Sequence, residues 1–410
     1  MLIALCTVVG STSYAQDVAY RTRYTNVYEI NASPFAANTA KSFAAAARMG
    51  HFAWTGTPPP DEQPLITQCA AHTGVSAWPG SCNPAGMVTA LHANGSGSWT
   101  RDDYSETQLQ TALDAQVSHL TGSLRSPNVV PLYGHADHWA INHVIWKDVN
   151  GVVVEYDIYD GGPAGERDGT RKGYEDGEKW IDPETWSAVF YKIITSVPST
   201  DPFYRRFVTL WEPPPGADTR VVPSQRRRSP SPLRDGAKVT PALARDLALE
   251  SMRLAGLTRH QDKWPILAAS TPILPFEVAG MYPNGDYWDY YLVPFVDQKR
   301  MIVAMAMLEK ETLRFQMATV LREPQPFRGY SHAQARQLAQ STLRSGETLG
   351  RGLLTWDPVA TSEHAYSPLA PYYEFEVYHG AQLVGSTRVR SDDGQVRELP
   401  VEHMSRRLRK

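Results

Sequence analysis

His138 to Asp160 reads HWAINHVIWKDVNGVVVEYDIYD, two aromatic and β-branched runs joined at Asp148-Val149-Asn150-Gly151. Asn-Gly supplies the positive φ that a tight hairpin turn requires, and the flanking runs alternate as strands do. An antiparallel hairpin is expected, with one strand over 139–146 returning as a second over 152–159. With Lys147 set opposite Val152, Asp160 falls across from Trp139, one place from His138, where cross-strand neighbours can hydrogen-bond. Asp157 falls across from Asn142 and points to the other side of the sheet. A slip of one residue would exchange the two faces, so the pairing depends on this register.

Upstream, Ser81-Cys82-Asn83-Pro84-Ala85-Gly86-Met87-Val88-Thr89-Ala90-Leu91 reads as a helix start. Pro84 belongs at or near the first helical position, where its missing N–H costs nothing. Cys82 then sits at the positive end of a helix dipole, which favours the thiolate.

These segments resemble the papain-like cysteine peptidases, and among them the bacteriocin-leader-processing subgroup. Cys82-Asn83-Pro84-Ala85 is similar to that subgroup's Cys-Gly-Pro-Ala/Thr motif, with Asn83 in place of glycine. Gly134 followed by His138-Trp139, a strand, a turn and a strand ending in Asp160 is similar to its histidine and aspartate segments. The resemblance implies an α+β domain in which a helix carrying Cys82 packs on an antiparallel sheet carrying His138 and Asp160. It implies Cys82 as nucleophile, His138 as proton shuttle, Asp160 as the group orienting the imidazole, and an upstream glutamine at the oxyanion. Gln68 is the candidate for that last role, farther from the cysteine than is usual, with Gln63 as its rival. The implied reaction is peptide-bond hydrolysis on a peptide or protein substrate, with no cofactor. A transglutaminase-like acyl transfer would use the same triad. No transporter segment accompanies the domain, so the subgroup's leader-peptide substrate does not carry over.

Each residue also has a plainer reading. Cys69 and Cys82 are an even pair, and a disulfide between them would stabilise by about 3 kcal/mol in the chain-entropy model. The chain would then be a non-catalytic envelope binding protein with a papain-like shell. His138 reads equally as a structural histidine at a strand entrance, Asp160 as the turn residue before Gly161-Gly162-Pro163, and Gln68 as a surface glutamine. His135, Asp137, His138 and His143 suggest a metal cluster, but 135, 137 and 143 cannot all share a strand face with 138, so no metal site is expected.

Over its 410 residues the chain is 42% hydrophobic and 20% charged with a formal net charge of -3, which gives no pull towards nucleic acid or an anionic membrane surface. Residues 1–15 contain a short apolar run ending in Ser13-Tyr14-Ala15, which reads as a secretory signal cut before Gln16, although no Lys or Arg precedes it. A secreted or periplasmic protein is expected, and no later segment has the roughly 20 apolar residues that span a bilayer. The papain-like domain is assigned to 16–212. Residues 213–239, with Pro213-Pro214-Pro215-Gly216 at their start and QRRRSPSPLR over 225–234, read as an exposed, readily nicked linker.

In 240–410 a pattern repeats. Thr240-Pro241 opens one helix, and Ser331 with Gln334 opens another through a capping box. YYLVPFVDQKRMIVAMAMLEKET from Tyr290 aligns with YYEFEVYHGAQLVGSTRVRSDDG from Tyr372, an internal duplication. The duplicated α+β unit resembles PepSY-type modules, which implies binding or intramolecular regulation of the N-terminal domain rather than catalysis.

Overall fold

The computed structural model describes residues 17–21, 82–93, 98–121, 124–134, 138–160, 177–195, 197–213, 220–234, 236–326, 329–358, 368–391 and 394–409, with scattered positions between 47 and 69. The expected signal segment, Gln63, His135 and Asp137 lie outside them.

The expected hairpin forms as strands β4 (Trp139–Lys147) and β5 (Val153–Asp160) around a turn in which the Asp148 carboxylate accepts from Asn150 and Val152. Its register differs from expectation. Lys147 faces Val153, Val144 faces Asp157, and Ala140 rather than Trp139 faces Asp160, because the pairing shifts between Trp146 and Lys147 and again between Asn142 and Val144. A bulge inserts an unpaired residue and re-aims the side chains beyond it, which simple alternation does not reveal.

Helix α1 (Pro84–Ala93) starts as expected, and α2 (Leu109–Leu120) leads into a meander of β3 (Asn128–Pro131), β4, β5 and β6 (Gly177–Ile181). The same order recurs twice. Helix α3 (Pro241–Leu254), followed by the short α4 (Trp264–Ala269), precedes β9 (Phe276–Gly280), β10 (Tyr290–Val296), β11 (Met301–Glu309) and β12 (Phe315–Pro326). Helix α5 (His332–Gln340) precedes β13 (Glu347–Trp356), β14 (Tyr372–His379), β15 (Gln382–Arg390) and β16 (Val396–Pro400). Thr240 and Ser331 cap α3 and α5 in the expected way. The two aligned Tyr-Tyr blocks therefore open β10 and β14, the second strand of each meander. The hairpin strand β4 is their counterpart in a first unit that the sequence alignment did not reach.

The three meanders join edge to edge in one sheet. Its order is β16-β15-β14-β13-β9-β10-β11-β12-β6-β5-β4-β3-β7-β2, with β7 at Arg206–Trp211 and β2 at Thr100–Ser105. Off this path, β1 (Val18–Arg21) pairs with β4 and β8 (Thr271–Pro272) with β10. The first and second units meet where β12 pairs with β6 and the second and third where β13 pairs in parallel with β9. The first two units share a core: Leu113, Val117, Tyr156 and Ile158 of the first pack in one cluster with Tyr290, Leu292, Met305 and Met307 of the second. Fully burying side chains of this size stabilises by about 1.5–3 kcal/mol each.

The arginine run expected as an exposed linker is mostly exposed, and it lies along the first unit. Arg226 bridges to Val153, its guanidinium meets the buried Asp114 at 2.8 Å, and its Nε donates to Tyr156. Ser229 N–H donates to the buried Asp182, and Arg228 pairs with Glu184. Arg226 and Ser229 answer buried acids, while Arg227 and Arg228 are exposed to water. No helix among the described residues is long and apolar enough to cross a membrane.

Candidate functional site

Asn83 Oδ1 accepts from the N–H of Gly86 at 2.8 Å, and Asn83 O accepts from Met87 at 2.9 Å. Asn83 is thus the N-cap of α1, with Pro84 in the first helical position. The residue that departs from the peptidase motif has a structural purpose of its own. Cys82 precedes the cap and is fully buried, as are Met87 and Ala90 on the helix.

Cys82 forms a disulfide with Cys69, 13 residues away, across a Cα separation of 5.7 Å. Both lie in a cluster with Trp139, Ile141 and Tyr159, and the Trp139 indole donates to Cys82 O at 3.2 Å. Trp139, Ile141 and Tyr159 occupy one face of the hairpin. Ala140 and Ile158, in the other main cluster, occupy the opposite one.

Asp160, two places beyond Ile158 and opposite Ala140, belongs to that second face. His138 joins it there. His138 Nε2 stands 2.9 Å from Asp160 Oδ1, both side chains buried, and the His138 ring rests 5.5 Å from that of Tyr133. The turn that delivers His138 is fixed by its backbone. Tyr133 and Gly134 both have positive φ, Tyr133 N–H donates to Phe190 O, and Gly134 O accepts from Thr195. A side chain at Gly134 would meet Ile193 O at 2.5 Å, so glycine is required there.

The structure therefore unites His138 with Asp160 through the expected hairpin, despite the altered register. It assigns the Cys82 sulfur to Cys69, beneath the opposite face. Gln68 is half-buried, one residue before the bridged Cys69. Sequence reasoning missed Lys179. This fully buried lysine on β6 extends its ammonium to 3.4 Å from Asp160 Oδ2, so the acid lies between two basic groups. Its position within GEKWI, a short run with a lysine among buried residues, carries no sign of that partner.

Of the metal cluster set aside on sequence grounds, His143 is described besides His138. It is buried, with its basicity pushed down to about 3 chiefly by burial and then by Arg21. It lies 3.7 Å from Glu178.

No family model and no curated protein matches the chain. Among solved structures, the C-terminal domain of YpeB from Bacillus megaterium aligns over 83% of this chain and 98% of its own at 8% identity, with a TM-score of 0.17. A likeness that loose carries no argument about fold or activity.

Proposed function

We propose that the chain is an exported, non-catalytic binding protein in which a papain-like shell is closed by the Cys69–Cys82 disulfide. The disulfide is the observation that carries this reading: a sulfur bonded to sulfur is neither thiolate nor nucleophile. It also suits an oxidising compartment, in keeping with export. Lys179 adds support. In a catalytic triad the acid's charge stabilises the imidazolium, whereas here a buried ammonium 3.4 Å away competes for it. On this reading His138, Asp160 and Lys179 form a structural ion cluster, and the PepSY-like units supply binding surface.

A second reading rests on the 2.9 Å His138–Asp160 bond and the capped helix start beside Cys82. On that reading reduction is followed by a movement that brings the Cys82 thiol from the opposite face of the hairpin to His138. The thiol then attacks a peptide carbonyl, with His138 passing the proton to the leaving group, Asp160 holding the ring and Gln68 at the oxyanion. Acyl transfer to an amine would begin in the same way.

Alkylation of the folded protein before and after reduction, with peptide mapping of the adducts, separates the readings. The expected result is no adduct on Cys69 or Cys82 until reductant is added, and then a Cys82 no more reactive at pH 7 than a model thiol. A Cys82 that alkylates without reduction, or far faster than the model thiol, would overturn the binding-protein reading in favour of the hydrolase.

A further inference from the structure

The face of β5 that turns away from Asp160 carries Glu155 and Asp157, 1% and 2% exposed. The turn after α3 lays Arg259 and His260 over them. His260 Nε2 stands 2.7 Å from Glu155 Oε1, and one donor atom each from Glu155, Asp157 and His260 lie within 4.8 Å of one another.

The carboxylate oxygens are divided in a consistent way. Arg259 lies 3.4 Å from Glu155 Oε2, and the Trp146 indole donates to Asp157 Oδ2 at 3.0 Å. Asp157 Oδ2 is thereby hydrogen-bonded, whereas Glu155 Oε2 has the Arg259 charge beside it without a hydrogen bond. Of the others, Glu155 Oε1 meets His260, and Asp157 Oδ1 has no N–H donor among the described residues; a hydrogen bond between the two acids requires that they share a proton. A buried polar atom left without a partner costs about 1–3 kcal/mol, so such an atom calls for an explanation. Arg259 does not provide it, since it is shared between Glu155 and Asp17, the latter at 3.5 Å.

We infer that Glu155, Asp157 and His260 are the ligands of a divalent transition-metal cation, with Zn2+ the best match to one imidazole nitrogen and two carboxylate oxygens. Borderline metals take this mixed donor set. Arg259 and Trp146 act as outer partners that orient the two carboxylates, as hydrogen-bond donors behind metal ligands do. The His260 ring is steadied between Trp180 at 4.6 Å and Trp146 at 5.3 Å. Glu155 and Asp157 come from the first unit and His260 from the second, so the ion would cross-link the two. This site is separate from the His138 neighbourhood and independent of the state of Cys82.

The test uses the full mature chain, stripped with a chelator and titrated with Zn2+ by calorimetry, with metal content measured after dialysis. One Zn2+ per chain is expected, with Asp157→Asn and His260→Gln each weakening binding at least tenfold while circular dichroism stays unchanged. X-ray absorption of the loaded wild-type chain provides a readout that needs no variant, and a shell of nitrogen and oxygen with imidazole scattering is expected. No retained Zn2+, equal binding by both variants, or sulfur in the shell would each overturn the assignment.

Discussion

Asp160 and Asp157 stand three residues apart on one strand and are buried alike, at 0% and 2% exposure, yet they live under opposite conditions. Asp160 lies between His138 and Lys179. Asp157 has an indole N–H on one oxygen, while burial first, and then the charges of Glu155 and Glu178, push its carboxyl well above the usual range. A buried acid with a cation beside it is a structural fastening. A buried acid set among acids is strained when it ionises, and acids perturbed in that way cluster at functional sites.

Removing the cation from the satisfied side is expected to have the largest effect. Lys179→Met leaves Asp160 buried with half its compensation and should cost about 3–5 kcal/mol in urea unfolding. A loss below about 1 kcal/mol would break the comparison, because Asp160 would then be no better held than Asp157. Next in size is the fastening beneath Trp139. The double variant Cys69→Ser, Cys82→Ser should lose about 3 kcal/mol, measured without reductant. Wild-type protein in reductant should match it.

The smallest effect sharpens the contrast. In metal-free protein Asp157 is held above its unfolded-state value, so the stability it contributes is present below that value and is lost as pH rises through the folded one. Asparagine cannot ionise and can still accept from Trp146. Asp157→Asn should therefore raise the melting temperature by roughly 2–4 °C at pH 8 and by much less at pH 4. A variant less stable than wild type at pH 8 would contradict the strain.

The hairpin was legible because Asn150-Gly151 states its turn locally, and the union of His138 with Asp160 came with it. The register was not, because the two shifts along β4 answer to packing rather than to alternation. The duplication could be read where Tyr290-Tyr291 and Tyr372-Tyr373 mark equivalent strands. The first unit has Trp139-Ala140 at that place and left no matching signal. Glu155 and Asp157 alternate with apolar residues in VVEYDIYD, which on its own reads as a strand with one face in water. That face is covered by His260, 105 positions from Glu155. No local pattern announces a contact made over such a distance. Arg226 misled for the same reason, since Asp114, the acid it serves, lies 112 positions back in the chain.

Joining units edge to edge has a consequence for how copies of the protein meet. Any meander ends in a strand whose outer side can template another, the route by which sheets aggregate. Among the described residues the path ends in β2 and β16, which are short and poorly suited to recruitment. Thr100–Ser105 carries Arg101, Asp102 and Asp103 in succession, and Val396–Pro400 places Arg397 and Glu398 ahead of a proline that has no N–H to offer. A fold made by adding like to like closes on two edges that discourage one more addition.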